Sequence, residues 1–183
     1  MGQMFSDVCG KLPTASHRGY KYFVTFTDDC SRKVFVAGLR EKSEVFRTFT
    51  ELLAQIKLQM GQTLKVLRTD GGGEYTSKEF ESFLKVRGTH HEITMPDTPQ
   101  HNGVAERLNR TLLEKACAML NDAELPDAYW FDALEYAMTL RNASPTHALT
   151  DMTPEEAWSG NKPNVSHLKI FGCRAFMHVP KEH

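Results

Sequence analysis

The sequence predicts an α/β fold in which a mixed five-stranded sheet is flanked by helices. The first observation is a set of five short segments rich in β-branched and aromatic residues, the pattern typical of strands. The second is a change of period after the third segment, where apolar residues begin to recur at helical spacing. A length of 183 residues suits one domain with a short extension.

The strands are justified by their composition and by the polar turns between them. The second and third strands form a hairpin around the polar residues 28–31, and the fourth runs into Asp70 and three glycines. The five predicted strands cover residues 4–9, 20–27, 33–39, 64–69 and 89–95.

The helices are justified by apolar stripes and by residues that begin or end a helix. Residues 96–103 contain two prolines and a glycine, so we expect a loop before the long third helix. The residues after 168 are rich in β-forming side chains. The predicted helices run between a Ser43 cap and Gly61, from about Ser77 to Val86, from Val104 to about Asn121, over residues 127–142, and over a short segment that Thr153 caps.

Composition excludes several classes of protein. The net charge of −1 and the pI of about 6.7 give no global support for nucleic-acid binding, so such an argument needs local clusters. No apolar run approaches the roughly 18 residues of a membrane span. The four cysteines lie far apart without a CxxC pair, which predicts reduced thiols and no zinc site within this chain.

Three acids stand out because of their positions in the predicted elements. Asp7 lies within the first strand, Asp70 closes the fourth, and Glu106 lies in the first turn of the long helix. Carboxylate oxygens are ligands that Mg²⁺ prefers, and two such ions can hold the attacking and leaving oxygens of a phosphoryl transfer. Taken singly, each acid has an ordinary alternative role, as a turn former or as a partner of the helix dipole.

Other acids compete for a role at such a site. Asp28 and Asp29 follow a strand and are best interpreted as hairpin-turn residues, whereas Glu74 lies close enough to Asp70 in sequence to support it. The glycines at 71–73 provide a tight turn rather than a phosphate-binding loop, because no Lys-Ser/Thr pair follows them.

Five blocks of sequence resemble copia-type retrotransposon integrases. They are FSDVCG, YFVTFTDDCSR, LRTDGGGEY, TPQHNGVAERLNRTLLEKA and HLKIFGCRAF, in this order along nearly the whole chain. The 35 residues between Asp70 and Glu106 are the interval typical of the Asp-Asp-Glu integrases. The resemblance implies a ribonuclease-H-like fold, and it implies Asp7, Asp70 and Glu106 as catalytic ligands of two Mg²⁺ or Mn²⁺ ions. It also implies trimming of the element's 3′ ends and their transfer into target DNA.

Polar and basic residues near Glu106 are candidates for DNA contact. Asn109 and Arg110 share its helical face, and Arg107 extends a basic edge that would hold phosphates without reading sequence. The adjacent loop contributes Gln100, His101 and Asn102. Without the resemblance, ordinary surface ion pairs, such as Arg110 with Glu114, are the favoured interpretation of these charges.

The resemblance also implies a longer protein and further partners. Residues 1–165 are expected to be the catalytic core, and residues 166–183 the start of a small C-terminal β-barrel that is cut short. Expected partners are element and target DNA and a second copy of the chain, in a dimer or larger assembly that acts in the nucleus and does not involve a membrane. The alternatives are a catalytically silent remnant or fragment of a Gag-Pol-type polyprotein that only binds DNA or dimerises, and, less favoured, a ribonuclease H.

Overall fold

A computed structural model describes residues 1–94 and 99–178, with the side chains of all of these except residues 99–102 and 104. Its centre is a five-stranded sheet in the order β3-β2-β1-β4-β5. The first three strands are antiparallel, and β4 and β5 run parallel to β1, which confirms the mixed five-stranded sheet. The strands are β1 (Gln3–Gly10), β2 (Tyr22–Asp28), β3 (Val34–Leu39), β4 (Val66–Thr69) and β5 (His90–Ile93).

Five α-helices flank this sheet. They are α1 (Val45–Met60), α2 (Lys78–Arg87), α3 (Pro99–Asp122), α4 (Trp130–Asn142) and α5 (Pro154–Ser159). Several ends follow the predicted signals: Ser77 caps α2 by accepting from the Phe80 amide, and Thr153 caps α5 by accepting from the Glu156 amide. Gly61 ends α1 in the left-handed conformation, as expected for a C-terminal glycine. None of the described helices has the length and apolarity needed to cross a membrane.

The core has two parts, each formed where helices pack on the sheet. In the first part, α1 and α2 pack their aromatic rings together, and Phe49 stacks on Phe80 with ring centroids 5.2 Å apart. In the second part, α3 and α4 pack Leu112 and Leu134 against Phe23 of β2. Strand β1 therefore lies in the middle of the sheet, between two layers of helices. An acid buried there needs hydrogen-bond partners from the protein.

Three element boundaries differ from the sequence prediction. Helix α3 begins at Pro99, so the predicted loop over residues 96–103 is wrong from Pro99 onward; proline is accepted at a first helical position because it has no amide to pair there. Ser43 does not cap α1, because it lies inside a 3-10 turn over Lys42–Glu44 that Glu41 caps. A second 3-10 turn, Asp127–Tyr129, precedes α4.

The C-terminal part contains no strand between residues 160 and 178, the last described position. Phe171 packs against Tyr136 of α4, with ring centroids 5.8 Å apart, so this segment lies against the core domain. The predicted β-rich ending is thus not formed over the described residues, and the domain division at residue 165 stays a prediction.

Candidate active site

Asp7 is a buried carboxylate in the central strand of the sheet. It lies opposite Thr25 in the pairing of β1 with β2, and it is 8% exposed. Its Oδ2 atom accepts a hydrogen bond from Nδ2 of Asn109, at 2.7 Å. A buried carboxylate requires such partners, because burial without them costs several kcal/mol. The bond also joins β1 to α3, the helix that carries Glu106.

Asn109 is held on its other side by β2. The Thr25 hydroxyl donates to the Asn109 Oδ1 atom at 2.8 Å, and Asn109 is only 3% exposed. The side chain is buried and its amide is used within the protein, and the expectation that Asn109 contacts DNA stays a prediction. Its position three residues after Glu106 is the one sequence signal that linked it to the site.

Asp70 lies in the exposed turn that follows β4. Its Oδ1 atom accepts from the Gly72 amide at 3.0 Å, which closes a tight turn at the end of the strand. Gly71 has a φ of 75°, in the left-handed region that favours glycine, so the turn needs glycine there. The buried Thr69 side chain supports the turn from below: it accepts from the Gly71 amide at 3.3 Å and bonds to His91 Nε2 at 3.0 Å.

Asp70 and Glu106 act electrostatically on the buried Asp7. Burial raises the pKa of Asp7 from 3.8 to about 6, and the negative charges of Asp70 and Glu106 add to the rise. The hydrogen bond from Asn109 opposes it by favouring the charged form. The charges of Asp70 and Glu106 therefore act on Asp7, although Glu106 is 99 positions away in the sequence.

A surface groove of about 550 Å³ connects Asp7 with the exposed Glu106 on α3. Arg110 also lines the groove and is exposed, which agrees with a surface that can meet phosphates. Among the salt bridges of the described residues, the pair of Arg110 with Glu114 is absent. The groove is lined by Asp7, Val8, Cys9, Gly10, Glu106, Asn109, Arg110, Leu113, Glu114 and Cys117.

The remaining predicted DNA-binding residues all belong to α3. Arg107 is exposed, and its guanidinium lies against Gly103, where an added Cβ would be 3.0 Å from Nη1. Gln100, His101 and Asn102 belong to the first turns of α3, but their side chains lie outside the described residues.

Glu74 and Tyr75, which follow the Asp70 turn, have contacts that the sequence did not indicate. The Glu74 carboxylate is largely buried and forms an ion pair with Lys42 at 3.4 Å. Tyr75 is fully buried, and its hydroxyl forms a hydrogen bond of 2.6 Å with Oγ of Ser6, the residue before Asp7. Burial raises the pKa of Tyr75 well above its usual range. Nothing in the sequence around Tyr75 points to Ser6, which is 69 positions away.

The donor set fits hard divalent cations. In residues 1–94 and 99–178, no three His, Cys, Asp or Glu side chains lie close enough to enclose a metal ion. Carboxylate oxygens are nevertheless ligands that Mg²⁺ prefers, and Mg²⁺ retains several waters and so takes few protein ligands. Burial, together with the negative charges of Asp70 and Glu106, raises the pKa of Asp7, and a bound cation would offset those charges.

Comparison with known proteins agrees with this geometry. The integrase core domain family matches residues 1–99, which include Asp7 and Asp70. The retrovirus-related Pol polyprotein from transposon TNT 1-94 of Nicotiana tabacum is 51% identical over 179 residues, 98% of this chain. The corresponding polyprotein from transposon RE2 of Arabidopsis thaliana is 32% identical over 94% of the chain.

A solved structure shares the fold. A chain in the cryo-electron microscopy structure of the simian T-cell lymphotropic virus intasome, in complex with the PP2A regulatory subunit B56 gamma, superposes with a TM-score of 0.68. It is 19% identical, and the match covers 95% of this chain and 65% of that one. This likeness agrees with the ribonuclease-H-like α/β fold.

The chain spans only a small part of its curated relatives. It corresponds to 14% of the tobacco polyprotein and to 12% of the Arabidopsis one. The integrase core match nevertheless covers more than half of the chain, and the relatives extend it beyond Glu106. The chain therefore belongs to the integrase core domain family, and it is similar to the members carried by plant retrotransposons.

Proposed function

We propose that this chain is the catalytic core of a retrotransposon integrase, a polynucleotidyl transferase that trims the 3′ ends of element DNA and joins them to target DNA. The observation that carries the proposal is the hydrogen bond from Asn109 to Asp7. It fixes the helix bearing Glu106 against the central strand, whose parallel neighbour β4 leads into Asp70. This arrangement supports the proposal that the three acids of the family pattern act together.

Asp7, Asp70 and Glu106 would hold two Mg²⁺ or Mn²⁺ ions. Bound there, the metals supply charge stabilisation for an in-line displacement at phosphorus and a means of activating the attacking hydroxyl. The protein's own contribution is the placement of the carboxylates: Asn109 and Thr25 orient Asp7, and the Gly72 amide orients Asp70. Fixed carboxylates lower the cost of ordering the site when substrate arrives.

The exposed basic side chains beside the acids would hold the DNA. Arg107 and Arg110 lie on the α3 surface that flanks Glu106, and Arg110 lines the same groove as Asp7. Arginine forms bidentate bonds to phosphate, so these residues would position a DNA strand without selecting its sequence. We also propose that the chain assembles as a homodimer or larger oligomer and acts in the nucleus, where chromosomal DNA is available.

A silent remnant is the second candidate, and ribonuclease H is a third. The remnant would retain the fold as a module that binds DNA or dimerises without catalysis. It predicts salt-sensitive DNA binding without metal-dependent cleavage. Ribonuclease H activity predicts cleavage of RNA in an RNA–DNA hybrid, which an integrase core does not require.

The test is a DNA nicking and joining assay in Mg²⁺ and in Mn²⁺. We expect Asp7→Asn, Asp70→Asn and Glu106→Gln each to reduce both reactions at least about a hundredfold, since each removes a metal ligand. Glu114→Gln is the matched control, because Glu114 lines the same groove on the same helix without belonging to the three acids. Full activity in all three variants would refute the assignment, and DNA binding without any cleavage would favour the remnant.

A further inference from the structure

A fully buried pair of hydroxyl groups joins the segments that carry the two aspartates. Tyr75 is 0% exposed and Ser6 is 1% exposed, and their hydroxyl oxygens are 2.6 Å apart although 69 positions separate them. A buried tyrosine hydroxyl needs a hydrogen-bond partner, and Ser6 provides it. The pair joins two separate parts of the site, because Ser6 precedes Asp7 and Tyr75 ends the turn after Asp70.

The direct pairing of β1 with β4 ends before it reaches the two aspartates. Strands β1 and β4 are parallel neighbours, but their pairing ends at Phe5 with Arg68, two positions before each aspartate. Beyond that point, the Ser6–Tyr75 bond links the segment that carries Asp7 to the segment that follows Asp70.

A continuous series of hydrogen bonds leads from Asp70 to Ser6. The Asp70 carboxylate accepts from the Gly72 amide at 3.0 Å, and the Gly72 carbonyl accepts from the Tyr75 amide at 2.9 Å. The Tyr75 hydroxyl then meets Ser6, the immediate neighbour of Asp7. Each of these groups is fixed by the next, so a shift of the tyrosine hydroxyl would move the turn that holds Asp70.

The tyrosine ring is itself fixed by the core. It packs edge-on against Phe80 of α2, with ring centroids 5.7 Å apart, in the cluster that also contains Phe49. A buried ring held in this way has little freedom to tilt, so the hydroxyl at its end is a rigid reference point. Phenylalanine would retain this packing and remove only the hydroxyl.

We propose that Tyr75 is a positioning residue which, through Ser6, sets the spacing of Asp7 and Asp70 and thereby the affinity of the site for divalent metal ions. The inference rests on the function proposed above. Because Tyr75 is fully buried, it would act through the backbone of the Asp70 turn and through the strand that carries Asp7. Partners that orient metal ligands commonly change metal affinity by 10- to 100-fold.

The experiment measures Mn²⁺ binding by electron paramagnetic resonance, without any substrate, for the wild type, Tyr75→Phe, Ser6→Ala and the double variant. We expect each single variant to bind Mn²⁺ about tenfold more weakly, and the double variant to bind no more weakly than the single ones, because one shared bond is lost. Tyr136→Phe is the matched control. It removes the hydroxyl of a tyrosine on α4, which donates to the Lys169 carbonyl and makes no contact with the Ser6–Tyr75 pair. Thermal unfolding of every variant shows whether the fold is retained.

The outcomes separate this inference from the proposed function. Unchanged Mn²⁺ affinity in folded Tyr75→Phe and Ser6→Ala would overturn the positioning role, even if Asp70→Asn abolished binding. Lower thermal stability with unchanged metal affinity would also overturn it, because that result describes a merely structural bond. A wild type that binds no Mn²⁺ would refute the proposed function and this inference together. If Tyr75→Phe failed to fold, the result for Ser6→Ala would decide.

Discussion

Asn109 and Asp7, 102 positions apart in the sequence, share a hydrogen bond of 2.7 Å in the buried space between α3 and the sheet. Thr25 completes the link by donating to the other end of the Asn109 amide. One amide thus connects two neighbouring strands with the helix that carries Glu106. The orientation of Asp7 therefore depends on the hydrogen bonds of Asn109, an uncharged side chain.

Removing this amide should change the titration of Asp7. In Asn109→Leu, which keeps a similar volume, we expect the pKa of Asp7 to rise further above about 6, because the bond that favours its charged form is lost. Carboxyl ¹³C chemical shifts followed over pH would measure it in metal-free buffer. Asn121→Ala, at an exposed position in the last turn of the same helix, is the control. An unchanged or lowered pKa would contradict the role given to Asn109.

Asp7 should make folding stability depend on pH in a definite direction. Its pKa is raised from 3.8 to about 6, so the folded state binds a proton more tightly than the unfolded state. The associated stability is fully present below about pH 4 and is lost as the pH rises through about 6, a change of about 3 kcal/mol. In metal-free buffer, Asp7→Asn should therefore gain stability relative to the wild type between about pH 4 and pH 7.

The measurement for this prediction is the difference in unfolding free energy between Asp7→Asn and the wild type at several pH values. Taking the difference cancels the titration of groups common to both proteins. A difference that stays constant from about pH 4 to about pH 7 would show that Asp7 titrates normally in the folded protein.

Asn142 should be important for stability rather than for activity. Its side chain accepts from the Val34 amide at 3.0 Å and donates to the Val34 carbonyl at 2.8 Å, which pairs the edge strand β3 with α4. Both groups are buried, so Asn142→Ala should cost about 2 to 4 kcal/mol of unfolding free energy in urea denaturation. Asn161→Ala, at an exposed position, should cost little. A loss below about 0.5 kcal/mol would show that water replaces the asparagine at Val34.

The groove arginine should contribute to DNA binding through phosphate. Arg110→Ala is expected to weaken binding to unrelated DNA sequences equally and to reduce the slope of log affinity against log salt concentration by about one. Fluorescence anisotropy at several salt concentrations would measure both effects. Lys57→Ala is the control, because α1 packs on the opposite face of the sheet from α3. A sequence-selective loss would indicate a base contact instead.

The strands and most helix ends were predictable because their signals are local. The β-branched and aromatic residues of β2 and the Ser77 cap each involve only a few neighbouring residues, so both can be recognised from the sequence alone. The start of α3 was not predictable in this way. Proline and glycine near residues 99–103 usually indicate a loop, yet proline is also accepted at a first helical position, and local signals do not separate the two cases.

The contacts within the site could not be predicted, because they join residues that are far apart in the sequence. Asn109 lies beside Glu106 and two arginines, so the pattern suggested an exposed polar face; its burial follows from the positions of Asp7 and Thr25 on distant strands. The bond of Ser6 to Tyr75 depends in the same way on residues 69 positions apart. Such pairings are set by the tertiary fold, and no local pattern specifies them.

The most direct test of the central claim, that Asp7, Asp70 and Glu106 form one metal-dependent active site, is a disintegration assay in Mn²⁺. The branched substrate already contains the joined DNA ends, so the reaction makes the smallest demand on assembly with further domains. The wild-type chain is predicted to resolve the branch, and Glu106→Gln, equally folded, is predicted to lose that activity. Equal activity in both proteins, or none in a folded wild type, would contradict the claim.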